Sequence, residues 1–157
     1  MTRTIMNTTA QWYVLEFCAV RYKAVFRYLD SINAEWYCPM QLTLHQRAGR
    51  VKSYNRRISP LFPGYLFIRL DFNILHTTQI TRLQHTRRFV SFGKEPQAIP
   101  DDIICQVKAV EQKEYELPDG IHSIPHEFAE VLLLDDPLKR NYALLNYLAS
   151  RNVQLAS

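Results

Sequence analysis

Aromatic and β-branched residues crowd Gln11 to Phe17 (QWYVLEF), so the first ordered element expected is a core strand. The period then changes. From Arg21 to Ile32, Val25, Leu29 and Ile32 share a helical face with Tyr22, while Arg21, Lys23, Arg27 and Asp30 point elsewhere. Trp36 to Leu44 returns to a strand pattern, with Pro39 tolerated near its start or at an edge. His45 to Ser59 is polar, strongly basic and contains Gly49, which predicts a hairpin tip or a mobile loop. Pro60 to Leu70 opens on a Pro-Gly turn and runs into a strand at Tyr65 to Leu70. A helix is expected over Phe72 to Thr81, a short strand over Phe89 to Phe92 and a loop over Gly93 to Pro100. Pro100 with Asp101 and Asp102 makes a helix start, and that helix should reach about Lys113.

Strand and helix therefore alternate around a small sheet, which predicts an α/β sandwich of roughly 100 residues. The expected organisation is a disordered arm at 1–10, a folded domain at 11–113, a linker at 114–126 and a small C-terminal segment at 127–157. The linker EYELPDGIHSIPH has two prolines, a glycine and little periodicity. The last segment is too short for a robust core of its own and reads two ways. Asp136-Pro137 followed by LKRNYALLNYLAS looks like a capped helix with Leu138, Tyr142, Leu145 and Leu148 near one face. VLLL and YALLNYL also read as two short strands joined at DDPLKR.

Charge divides the chain more sharply than its net +4 suggests. Residues 36 to 94 hold ten Lys or Arg against Asp71 alone, whereas residues 95 to 157 hold eleven acids against five bases. A basic middle favours a polyanion, because each neutralised phosphate releases counterions, and an acidic tail could fold back over it. Cys18, Cys38 and Cys105 lack metal or disulfide spacing and read as small buried hydrophobes in a reducing cytoplasm. No apolar run approaches the ~18 residues of a membrane helix. The chain has only four glycines and no phosphate-binding, dinucleotide or nucleophile-elbow motif, and its histidines are not at zinc spacings. Neither an enzyme nor a metal or other cofactor is expected, and a monomer is.

Two features carry candidate chemistry. In Leu61-Phe62-Pro63-Gly64-Tyr65-Leu66-Phe67, three aromatics (Phe62, Tyr65, Phe67) alternate onto one strand face. They read equally as core packing or as a protein-docking patch. The second is basic: RLQHTRR, with Arg82, Gln84, His85, Arg87 and Arg88, joins Arg21, Lys23 and Arg27 of the first helix. These side chains suit contacts with phosphates and base edges, against the plainer reading of a solvated basic face.

At these residues the chain resembles the NusG family of transcription elongation factors. WYVLEF at 12 to 17, PLFPGYLFIRLDF at 60 to 72 and RFVSFG at 88 to 93 match its N-terminal domain in order and spacing. Ile74-Leu75-His76-Thr77-Thr78 and Cys38-Pro39-Met40 resemble its RfaH-type branch. The resemblance implies that Phe62, Pro63, Tyr65 and Phe67 grip the clamp helices of the largest RNA polymerase subunit. It implies that His76, Thr77 and Thr78 touch the other large subunit, and that the basic residues face the non-template DNA strand. A factor bridging the cleft in this way suppresses pausing and termination. Leu83-Gln84-His85-Thr86 replaces the branch's usual Thr-Arg-Gly-Val, so the DNA-facing surface carries over but the target sequence does not.

The tail lacks the glycines of the family's KOW-type barrel, yet DDPLKRNYALLNYLASRNV resembles the RfaH tail. That tail packs as a helical hairpin over the polymerase patch and can refold as strands. The resemblance thus implies an autoinhibitory switch, with the C-terminal segment as a candidate contact for a small-subunit ribosomal protein. Two other readings stand beside this one: a nucleic-acid-binding module that never docks on polymerase, and a competitor of general NusG.

Overall fold

The computed structural model describes residues 10–46, 48–49, 54–113, 130–132 and 134–156. Strand β1 (Gln11–Phe17) leads through a 3-10 turn at Ala19–Arg21 into α1 (Tyr22–Ser31). Next come β2 (Glu35–Tyr37), β3 (Met40–Gln46), β4 (Tyr54–Pro60) and β5 (Tyr65–Leu70). The chain continues through α2 (Thr77–Thr81), β6 (Thr86–Phe89) and α3 (Asp101–Lys113) to α4 (Pro137–Ala156). Four strands form an antiparallel sheet in the order β2-β5-β1-β6, while β3 and β4 pair as a separate hairpin.

Helices cover both faces, giving the mixed α/β sandwich the pattern predicts. Alternation along the strands sorts the core into two clusters. Tyr13, Leu15 and Phe17 of β1 join Leu66, Ile68 and Leu70 of β5 under Val25 and Leu29 of α1 and Ile80 of α2. Trp12 and Val14 join Phe67 on the opposite face, against Ile103, Ile104 and Val107 of α3 and Leu144 and Leu148 of α4. The β1–β5 register sets Val14 opposite Phe67 and Leu15 opposite Leu66, so each rung contributes to one cluster.

Several elements differ from the pattern-based expectation. Instead of one strand over Trp36 to Leu44, β2 and β3 belong to different sheets and break at Cys38-Pro39. Proline has no N–H for a ladder and fixes its own φ, and its carbonyl here accepts from Leu61 N at 2.8 Å. Of the two alternatives for His45 to Ser59, hairpin tip or mobile loop, the hairpin is found, with its strands reaching further into the segment than a tip alone. β4 pairs with β3 from Met40↔Pro60 to Gln46↔Tyr54, so polarity marked a solvated hairpin rather than irregular chain. Arg47, Arg50 and Lys52 at its tip lie outside the described residues.

The helix expected over Phe72 to Thr81 shrinks to Thr77–Thr81. Asp71 stops it from starting earlier, because its carboxylate accepts from Asn73 N (2.9 Å) and its carbonyl from Ile74 N and Leu75 N. The short strand falls at Thr86–Phe89 rather than Phe89 to Phe92, paired to β1 through an irregularity between Glu16 and Phe17. Past Phe89 only Val90 N still bonds to β1 (Val14 O, 2.8 Å), and Ser91 bridges Pro96.

The linker expected at 114–126 lies outside the described residues. The helix-or-strand ambiguity of the tail resolves to helix over Pro137–Ala156, with residues 130–132 also helical. Its inward face is not the one expected. Arg140, Leu144 and Leu148 are buried, whereas Leu138 and Tyr142 are each 73% exposed.

Candidate docking face and basic surface

The Pro-Gly turn before β5 is built around Gly64, which has φ +90; a Cβ there would stand 3.2 Å from Phe17 O. Phe17 N donates to Gly64 O at 2.8 Å, tying the turn to the end of β1. This places Phe62, Tyr65 and Phe67 on a single face, Tyr65 and Phe67 by alternation along β5 and Phe62, which precedes the strand, by the turn. They are not open to solvent. Phe62 and Phe67 are each 1% exposed, and Tyr65 is half-buried. Leu144 and Leu148 of α4 complete the cover, with Ala143 and Tyr147 at its margin. Burial raises the Tyr65 phenol above its ordinary value, with Glu16 adding to the rise and Arg88 and Arg87 opposing it.

Two polar anchors hold α4 to this face. Asn141 Nδ2 donates to Pro63 O at 2.8 Å. Arg140 is 4% exposed and, among the described residues, donates to uncharged acceptors. They are Leu134 O (2.7 and 3.0 Å), Asp135 O (3.2 Å), Leu61 O and Gln41 Oε1 (3.3 Å). Burial lowers its guanidinium below the ordinary arginine value, and Asp135 and Asp136 oppose that. The sequence reading missed Arg140. A charged residue among apolar ones looked outward-facing, and its carbonyl partners leave no trace in side-chain chemistry.

His76 sits at the N-terminus of α2. Its Nδ1 accepts from Thr78 N at 3.2 Å, while Gln79 Oε1 accepts from His76 N at 2.8 Å, a reciprocal capping box. The cap requires an unprotonated Nδ1, so the neutral ring carries its proton on Nε2. His76 and Thr78 are exposed and Thr77 half-buried, and the neighbouring Ile74 is 82% exposed.

Among the DNA-contact candidates, the α1 cations and the segment after α2 meet. Cys18 N donates to His85 O at 2.8 Å and Tyr28 Oη to Gln84 Oε1 at 3.2 Å, closing the segment onto α1. Arg21, Lys23 and Arg27 line an open hollow beside Val20 and Tyr22, all three exposed. Arg82, Gln84 and Arg87 are exposed and His85 half-buried with φ +73. Arg88 diverges from this group. It crosses to Glu16 of β1 (Nε to Oε1, 2.8 Å), on the face that carries Tyr65.

Cys38 is buried as expected, but Cys18 is half-buried and Cys105 exposed on α3, so two of the three are not core residues. Among the described residues no cluster of three His, Cys, Asp or Glu is placed to hold a metal ion. No helix there is long and apolar enough to cross a membrane.

The fold is thus a helix-covered antiparallel sheet with an apolar strand face under a C-terminal helix and basic residues at its edge. The family model described as transcription termination factor nusG matches residues 10–108. The chain belongs to the NusG family. It is also similar to a solved structure of NusG from Thermotoga maritima, recorded for its domain interaction, at 19% identity and a TM-score of 0.47. That match covers 71% of this chain and 63% of the Thermotoga chain.

Proposed function

We propose that this chain is an elongation and antitermination factor of the RfaH type that bridges the cleft of RNA polymerase. Phe62, Pro63, Tyr65 and Phe67 grip the clamp helices of the largest subunit. His76, Thr77 and Thr78 meet the other large subunit, and Arg21, Lys23, Arg27, Arg82, Gln84, His85 and Arg87 face the non-template strand. The factor needs no cofactor, performs no catalysis and works in the cytoplasm.

The observation that supports this reading best is the position of α4. The strand face expected to grip polymerase lies beneath a C-terminal helix outside the family-matched segment, with Phe62 and Phe67 each 1% exposed. Docking then requires α4 to leave. The apparent affinity falls in proportion to the fraction of molecules whose face is open, so the tail keeps the factor silent until a second contact, such as DNA, favours the open state.

Binding of the full chain to a reconstituted elongation complex tests the proposal, beside a Tyr65→Ala, Phe67→Ala double variant. Binding by the wild type that the variant loses supports it. Equal binding by both, or none beyond what free DNA captures, sinks it and leaves a plain nucleic-acid-binding module.

A further inference from the structure

Resemblance to the family groups Arg88 with the DNA-facing cations, and the geometry turns it elsewhere. Glu16 lies opposite Tyr65 on β5 and opposite Arg88 on β6, so the three side chains share the face that carries Phe67. Lys23 and Arg27 stand on α1, with Arg21 in the turn before it, and α1 packs against the other face. Glu16 Oε1 accepts from Arg88 Nε at 2.8 Å, which pins the guanidinium by its inner nitrogen. Its two outer amino groups are left as a donor fork on a side chain 78% exposed, against 19% for Glu16. The pair and Tyr65 line a cavity of about 200 Å³ that Leu145 of α4 also borders. Arg87 is exposed beside them.

We infer that Arg88, oriented by Glu16, is the charged rim of the docking face and meets a carboxylate on the protein that takes the place of α4. This rests on the polymerase-docking reading. An apolar centre bounded by an arginine is the usual anatomy of a protein interface. A guanidinium held at Nε presents a planar fork that matches a carboxylate with two parallel hydrogen bonds. A phosphate would satisfy the same fork, but nucleic acid following the α1 cations would run along the opposite side of the sheet. Glu16 is therefore a positioning residue, and Arg88 a specificity-determining one.

The test is photo-crosslinking of the full chain on an elongation complex with labelled DNA. A benzophenone side chain is placed at position 88 and, as the reference, at position 65. Both positions are expected to attach to the same large polymerase subunit. In parallel, Arg88→Gln and Arg88→Lys should each weaken binding about 3- to 5-fold, the range of a solvent-exposed charge pair, with the urea midpoint unchanged. Glu16→Gln should lose about 2-fold by leaving the fork unoriented. Attachment of position 88 to DNA, or to nothing while position 65 labels polymerase, overturns the inference. So does full binding by Arg88→Gln. If position 65 labels no polymerase subunit, the docking reading itself falls, and this inference with it.

Discussion

One face of the four-stranded sheet is closed by α1 and α2, both within the family-matched segment; the other is closed partly by α4, which begins at residue 137. The first seam is apolar throughout: Leu29 and Ile80 have 0% exposure and pack with Leu15 and Ile68. The second mixes apolar contacts with a buried guanidinium and an amide whose Oδ1 has no partner (Asn141). Buried polar groups cost free energy unless fully satisfied, so the second seam is held more by geometry and less by surplus burial. The proposed function requires this seam to open without unfolding the sheet. The contrast between a permanent and a removable cover is what the proposed function needs.

The largest difference should appear on truncating one leucine on each side. Leu29→Ala removes a fully buried side chain from the permanent face and is expected to lower global stability by about 2–5 kcal/mol. Leu144→Ala, equally buried, should instead release α4. Native-state hydrogen exchange would then show amides of Pro137–Ala156 losing protection while β1 and β5 keep theirs. Equal loss of protection in both regions would make the two covers one cooperative unit and remove the basis for a switch.

Arg140→Ala is the next largest. It strips a donor from the carbonyls of Leu61, Leu134 and Asp135 in part-buried bonds; an acceptor left unmade costs roughly 1–3 kcal/mol where buried and less where water reaches it, as at the exposed Asp135. The same exchange experiment should show α4 opening, with binding to the elongation complex strengthened. Tighter protection of α4 in this variant would reverse the argument.

The alternating strands, α1, α3 and the Pro-Gly turn were legible because each follows from a local period or punctuation mark. The inward face of α4 was not. Periodicity grouped Leu138, Tyr142, Leu145 and Leu148, yet the buried line runs through Arg140, Leu144 and Leu148. The rotation is set by carbonyls at residues 61, 134 and 135 and by Gln41, all distant in sequence or invisible to hydropathy. Equally, RLQHTRR read as a uniform basic run because nothing local says that Glu16, 72 residues earlier, claims one of its arginines. The aromatic triad was placed on one face, and a cover over it was implied by the tail's resemblance but by no local period.

A smaller effect is expected at α2, whose Ile80 belongs to the permanent face. His76→Ala should cost about 1 kcal/mol by removing the cap, and His76→Asn should restore most of it, because asparagine is a good N-cap. Urea midpoints read both. If His76→Asn keeps stability but loses elongation-complex binding, the exposed Nε2 side of the ring contacts the partner.

The smallest expected effect is spectroscopic and probes the seam directly. The Tyr65 phenol is raised above 10.0, chiefly by burial and next by Glu16. A group raised in the folded state contributes stability that is fully present below its unfolded value and is lost as pH rises through the folded one. The window therefore opens above pH 10, where unfolded chains ionise Tyr65 first. Absorbance of tyrosinate during an alkaline titration should show Tyr65 ionising late alongside Tyr13, which burial also raises, and the late phase lost in Tyr65→Phe is that of Tyr65. Arg140→Ala should advance the late phase to lower pH, since an open seam wets the ring. Were the phase to stay in place after α4 has opened, the shift would belong to β1 and β6 rather than to the removable cover, and Tyr65 would not report the seam at all.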